Sequence, residues 1–279
     1  LQLLVARRGC RMAPGTLSDL YVQSHGPLVT SRAILSDFTL PVQIVKRLER
    51  PWVRMGLWRG RVSLIRMSMK SGRTPSEKEI EYIYRLLDES PASVDCGQLC
   101  MEEDGPLCCV TDNAVPSVYR WEWKYLKPRT SMWHRWRPRN DQERRDFMDC
   151  KADCDIYVKC EGALRCDRRY RSFVCRTFPL EPYVENDWSM TGLIFNTDFE
   201  GKCPLTRTPR KLRPRFVNAC IEGWQWLLDV EPEMHEVYRD WSQVLRRRNG
   251  QLNLPVRGFD LEGHWTVLRR KRPGPSRKG

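Results

Sequence analysis

Apolar residues recur at helical spacing in three stretches of this chain. Over 76–89, Ile80, Ile83, Leu86 and Leu87 fall on one face. Ser76 follows Pro75, and Glu79 stands three residues on, which is the pairing of a capping box; Pro91 ends the run. A second helix is predicted over 214–229, with Pro214 at its first position and a stripe of Phe216, Val217, Ile221, Trp224, Leu227 and Leu228. Pro232 opens a third over 232–248, where Met234, Val237, Tyr238, Trp241, Val244 and Leu245 repeat at i, i+3, i+4 and i+7. All three stripes read as core faces. Arg246, Arg247 and Arg248 fall in the last turn, where cations suit the helix dipole.

Strand signals are shorter. Residues 40–45 and 60–65 read as brief strands of a partly buried sheet with a basic outer face. Residues 110–149 are rich in Trp and Arg, and Pro116, Pro128 and Pro138 break any long helix, so the stretch reads as an insertion. The expected class is α+β: a small irregular domain, stapled by metal, with few short strands and several helices. Its two C-terminal helices pack on a cysteine-rich core. The expected divisions are an N-terminal extension over 1–75, the cysteine domain over 76–248, and a basic tail over 249–279.

Composition narrows this picture. The chain has 279 residues, of which 41% are hydrophobic, enough for a core. No apolar run is long enough for a membrane helix. Residues 1–6 are mostly apolar and then meet Arg7 and Arg8, the reverse of an export signal, and residues 1–11 read as an upstream extension or a cut boundary. The expected compartment is therefore reducing and cytoplasmic.

The 12 cysteines carry the candidate chemistry, and ten of them lie between 96 and 203. In a reducing compartment such a cluster favours metal over disulfides, which would need an export signal the sequence does not display. Cys96, Cys100, Cys108 and Cys109 form one half; Cys160, Cys166, Cys175 and Cys203 form the other. Close pairs let one loop offer two sulfurs to an ion, and a distant pair completes a tetrahedron. Eight sulfurs suit two four-ligand sites, one polynuclear site, or one cluster with spare thiols. Vicinal Cys108 and Cys109 suit adjacent metals better than one. Arg168, Arg171 and Arg176 lie among the second group and are candidates to neutralise thiolate charge. Cys150 and Cys154 are either a further ligand pair or spare thiols, and Cys10 and Cys220 read as structural.

These residues resemble a known family. Cys96, Cys100 and the Cys108-Cys109 pair precede Cys166-Asp-Arg-Arg-Tyr-Arg-Ser-Phe-Val-Cys175-Arg-Thr-Phe-Pro-Leu-Glu-Pro182, then Cys203-Pro-Leu. The pattern is similar to that of the YkgJ-type cysteine-cluster family, over roughly residues 90–245. Cys166, Arg168, Arg171, Cys175, Arg176, Phe178, Pro179 and Pro182 match its motif. Asp167 and Ser172 stand where the family tends to have Pro, and both Cys96–Cys100 and Cys160–Cys166 are spaced more widely than its pairs. The resemblance implies zinc or iron chelation.

All-sulfur ligation permits closed zinc sites or an iron–sulfur cluster. The four His are not beside the cysteines, which argues against an open His-rich catalytic zinc site. No P-loop, Rossmann fingerprint, GxSxG elbow or HExxH motif is present. The first functional expectation is a metal-binding protein whose zinc or iron site is structural or a store. The alternative is an iron–sulfur redox or protein-modifying enzyme, with methyl transfer suggested by analogy to cysteine clusters of the flagellin lysine methylase group. A further alternative rests on 48 Lys and Arg against 35 Asp and Glu, a net charge of +13. That charge, with the Arg/Trp stretch at 121–139, suits nucleic acid or another acidic partner.

Overall fold

In a computed structural model of the chain, residues 72–94, 96–102, 107–110, 114–145 and 152–268 are described. The expected strands at 40–45 and 60–65, together with Cys10, Cys150 and residues 269–279, lie outside them.

The chain is an α+β protein. Helix α1, Glu77–Leu86, starts where the capping box placed it: the Glu79 carboxylate accepts the Ser76 N–H at 2.8 Å, and Ser76 Oγ accepts the Glu79 N–H at 3.3 Å. Ile80 and Ile83 face the core. Helix α2, Cys96–Glu102, follows. Strand β1, Ser117–Tyr119, leads straight into α3, Arg120–Leu126. Strand β2, Trp133–Arg135, and the single turn α4, Asp141–Glu143, come next. Strand β3, Asp155–Cys160, lies between β1 and β2 in an antiparallel three-stranded sheet.

The second sheet is an antiparallel meander of four strands: β4, Leu180–Val184; β5, Met190–Phe195; β6, Arg257–Asp260; and β7, Trp265–Val267. Ahead of it stands the short helix α5, Phe173–Thr177, and after β5 comes α6, Pro204–Arg207. Two long helices, α7 at Pro214–Val230 and α8 at Pro232–Gln251, pack on the meander. Trp224 of α7 is fully buried, and its Nε1 donates to the Leu180 carbonyl at 3.1 Å. The rings of Phe173 and Tyr238 meet Trp224 edge-on, each at 5.0 Å.

Three expectations need correction. The described residues of the expected insertion at 110–149 are part of the core: β1 and β2 both pair with β3, and Val118, Tyr119, Trp121, Trp123, Leu126 and Trp133 are buried in the main core. The basic tail does not begin at 249: α8 runs to Gln251, and β6 and β7 complete the meander, with Phe259 buried. Within α8, Val244 is 40% exposed while Ser242 is fully buried and accepts the Val184 N–H at 3.0 Å. A single hydroxyl takes up a strand N–H there, so the buried face includes a polar position that a hydrophobic stripe omits.

Candidate metal centre

Each of the eight candidate cysteines reaches its place through a different piece of local structure. Cys96 and Cys100 are four residues apart on α2 and share a face. Cys108 and Cys109 lie in a turn after it. Cys160 ends β3, and Cys166 follows a 3₁₀ turn over Ala163–Arg165. Cys175 sits on α5, whose N-cap Ser172 accepts the Cys175 N–H at 3.3 Å. Cys203 precedes α6, with Pro204 at the first helical position.

All eight line one cavity, whose remaining wall includes Leu107, Val115, Met132, Trp133, Val174, Phe178 and Leu205. The wall is mainly apolar, and its one charged side chain is Arg171. Sulfurs from both halves of the sequence act on one another electrostatically: Cys96 and Cys175 on Cys108, Cys109 on Cys160 and Cys175, and Cys96 and Cys100 on Cys203. The cysteines of the described residues are free thiols.

Their protonation follows from where they sit. Burial pushes Cys175 up to about 12, against the opposing bond from Ser172. Burial pushes Cys203 up to about 11, partly offset by backbone N–H groups of Leu205 and Thr206. Cys108 is raised first by its bond with Cys109 and then by burial, and Cys160 is raised by burial. The thiols line the wall of the cavity. Among the described residues, no group of three or more Cys, His, Asp or Glu is arranged to hold a metal ion.

The three candidate arginines divide by role. Arg171 Nε donates to Cys166 Sγ at 3.0 Å, and its Nη1 approaches Cys96 Sγ at 3.9 Å. It sets a positive charge beside sulfurs from both halves of the cluster. Arg176 does not reach a sulfur. Its guanidinium donates to the carbonyls of Arg171 at 2.9 Å, Arg168 at 3.0 Å, Arg169 at 2.8 Å and Tyr84 at 3.2 Å, and pairs with Asp88 at 3.3 Å. Arg176 thus clamps the backbone between Cys166 and Cys175, and Arg168 contributes a carbonyl to that clamp.

Sequence reasoning missed the second support of this loop. Glu122, fully buried on α3, accepts the Tyr84 hydroxyl at 2.6 Å, the Tyr119 N–H at 3.2 Å and the Phe173 N–H that opens α5. Its one sequence signal is a carboxylate three residues after Tyr119 at a strand-to-helix junction. Trp133 adds a further tie, with Nε1 donating to the Tyr170 carbonyl at 2.7 Å.

The other two described cysteines lie elsewhere. Cys154 is buried away from the cavity wall, its thiol raised by burial and by Asp155, Glu233 and Glu231. Cys220 is fully buried on α7. His134 pairs with Glu161, and His235 Nε2 contacts the Trp188 carbonyl at 2.7 Å. Among the described residues, no helix is long and apolar enough to cross a membrane. No family model, no curated protein and no solved structure matches this chain.

Proposed function

We propose that this chain is a cysteine-cluster metal-binding protein, taking zinc or iron through Cys96, Cys100, Cys108, Cys109, Cys160, Cys166, Cys175 and Cys203. One observation carries the reading: these eight thiols, spread over more than a hundred residues of sequence, line a single cavity. The donor set is wholly thiol and fits zinc or an iron–sulfur cluster better than a hard cation. The site serves as a structural staple or a metal store.

Loading draws the side chains in from the wall and removes their protons, so it is linked to both folding and pH. Arg171 supplies positive charge where ligated sulfurs carry negative charge. Arg176 and Glu122 hold the Cys166–Cys175 loop without touching the metal. The likeness to the YkgJ-type family supports the same reading, and a reducing cytoplasmic setting suits free thiols.

Elemental analysis of the full chain purified without oxygen tests this reading, together with its absorption spectrum. At least one zinc or iron per chain is expected. A brown protein absorbing near 400 nm would assign an iron–sulfur cluster, and a colourless one carrying zinc would assign closed zinc sites. Protein that takes up less than one metal per chain from excess zinc or iron overturns it.

A further inference from the structure

The segment that leads from β5 into the first turn of α7 is dense in cations. From 202 to 215 stand Lys202, Arg207, Arg210, Lys211, Arg213 and Arg215, with no Asp or Glu among them. All six are exposed. Elsewhere some exposed arginines have carboxylate partners, Arg139 with Glu143 and Arg169 with Asp167, while Arg135, Arg137, Arg247, Arg248 and Arg257 make no ion pair among the described residues. Among the described residues, Lys202, Arg210, Lys211, Arg213 and Arg215 make no ion pair.

The backbone that bears these cations is pinned. Cys203, Leu205 and Leu212 are buried beneath it. Thr206 Oγ1 donates to the carbonyls of Phe199 and Cys203 and accepts the Gly201 N–H. The Arg213 N–H is tied to the Pro91 carbonyl at 3.0 Å. The pinned backbone fixes where these cations stand, and an exposed segment with six cations and no carboxylate attracts a polyanion.

We propose that the 202–215 segment is a docking surface for a nucleic-acid backbone, recognised through its phosphates. Four of the six cations are Arg, whose planar fork matches phosphate oxygens. Of the tryptophans in the Arg/Trp stretch, Trp121, Trp123 and Trp133 are buried in the core and cannot stack on bases, and Trp136 is half-buried. Recognition is therefore by charge and is independent of base sequence. Cys203 and Leu205 belong both to this segment and to the cysteine cavity wall, which places the bound strand beside the thiol site.

The test is fluorescence anisotropy of the full chain with labelled 20-base-pair DNA and RNA duplexes, and with an acidic polypeptide, across a salt series. Six phosphate contacts give a log–log salt slope of about −5. The triple variant Arg210→Glu, Lys211→Glu, Arg213→Glu is expected to bind at least about tenfold more weakly, with a slope shallower by about 3. Its melting temperature stays within a few degrees of wild type, because all three side chains are in solvent. A control variant with Arg247→Glu and Arg248→Glu, exposed on α8, keeps wild-type affinity. DNA and RNA arms separate the two sources of phosphate, and binding of either supports the proposal. Equal weakening in the control, or tighter binding of the acidic polypeptide than of both duplexes, overturns it. These outcomes do not depend on metal content, so the proposal can fail while the metal reading stands.

Discussion

The guanidinium of Arg176 lies over the ring of Tyr84, 4.3 Å from its centre, and donates to the Tyr84 carbonyl at 3.2 Å. This contact joins α1 to the loop that carries Cys166 and Cys175. With its side chain 4% exposed, Arg176 donates to four backbone carbonyls, of which that of Arg168 also accepts the Arg171 N–H.

Arg176→Ala is therefore expected to destabilise the metal-free protein by about 2–4 kcal/mol, since buried acceptors lose a charged donor. Arg176→Lys recovers little of this, because one ammonium cannot span carbonyls that a planar fork bridges. Urea denaturation of metal-free wild type and both variants checks the order. A lysine variant as stable as wild type would contradict the clamp.

Metal removal separates the thiols' contribution from ordinary packing. A strong chelator is expected to lower the melting temperature of loaded wild-type protein by several degrees, because ligation free energy is folding free energy. Cys175→Ser starts at a lower melting temperature and responds much less to chelator. Cys154→Ser, away from the cavity wall, keeps the full chelator response. Differential scanning calorimetry with and without chelator checks all three, and an equal response in Cys175→Ser and wild type would remove Cys175 from the ligand set.

Burial pushes the Glu122 carboxyl up to about 7, although Tyr84, Phe173 and Tyr119 donate to it. Burial likewise pushes Glu231 up to about 7. Each folded value lies above the unfolded value of about 4.3, so between those limits the folded state holds protons that the unfolded chain has released. Their contribution is fully present below about pH 4.3 and is lost as pH rises through 7. Glu79 is pulled down to about 2 by Arg73 and Ser76, and its stabilisation is lost only at more acid pH. The melting temperature is expected to fall from pH 5 to pH 8, and to fall less steeply in Glu122→Gln. A flat or rising profile in wild type would contradict the sign.

The long helices were legible because their apolar residues repeat at the helix period and their first turns carry Ser76, Pro214 and Pro232. The candidate thiols were legible because cysteine is a rare residue and its spacing is informative without a fold. The supports of the site were much less so. Glu122 looks like any surface charge in a sequence with 30% charged residues; Arg176 was legible as a charge among the thiols but not as a backbone clamp, and only long-range packing buries the two. The hairpin β6–β7 was hidden for a similar reason. Its residues are polar at many positions, and its buried face is set by pairing with β5, far earlier in the chain.

That pairing depends on two glycines. Gly192 of β5 stands opposite Asp260, and a methyl group built on it would run into the Phe259 carbonyl and come within 2.9 Å of the Leu268 side chain. Gly258 of β6 meets the Leu193 carbonyl in the same way. The obstacle in each case is backbone, which cannot turn aside as a side chain does, so Gly192→Ala must push β6 away from β5. Phe195 and Phe259, whose rings meet edge-on at 6.2 Å, then lose contact. The expected cost is about 1–3 kcal/mol, the usual range for overpacking a closed core. Gly250 offers the matched control, since it lies in the last turn of α8 with nothing within 4 Å of an added methyl group. Gly250→Ala should instead stabilise by about 0.5–1 kcal/mol through the better helix propensity of alanine. Opposite shifts in the urea midpoints of the two variants are the expected result; a neutral Gly192→Ala would mean that β6 does not approach β5 this closely.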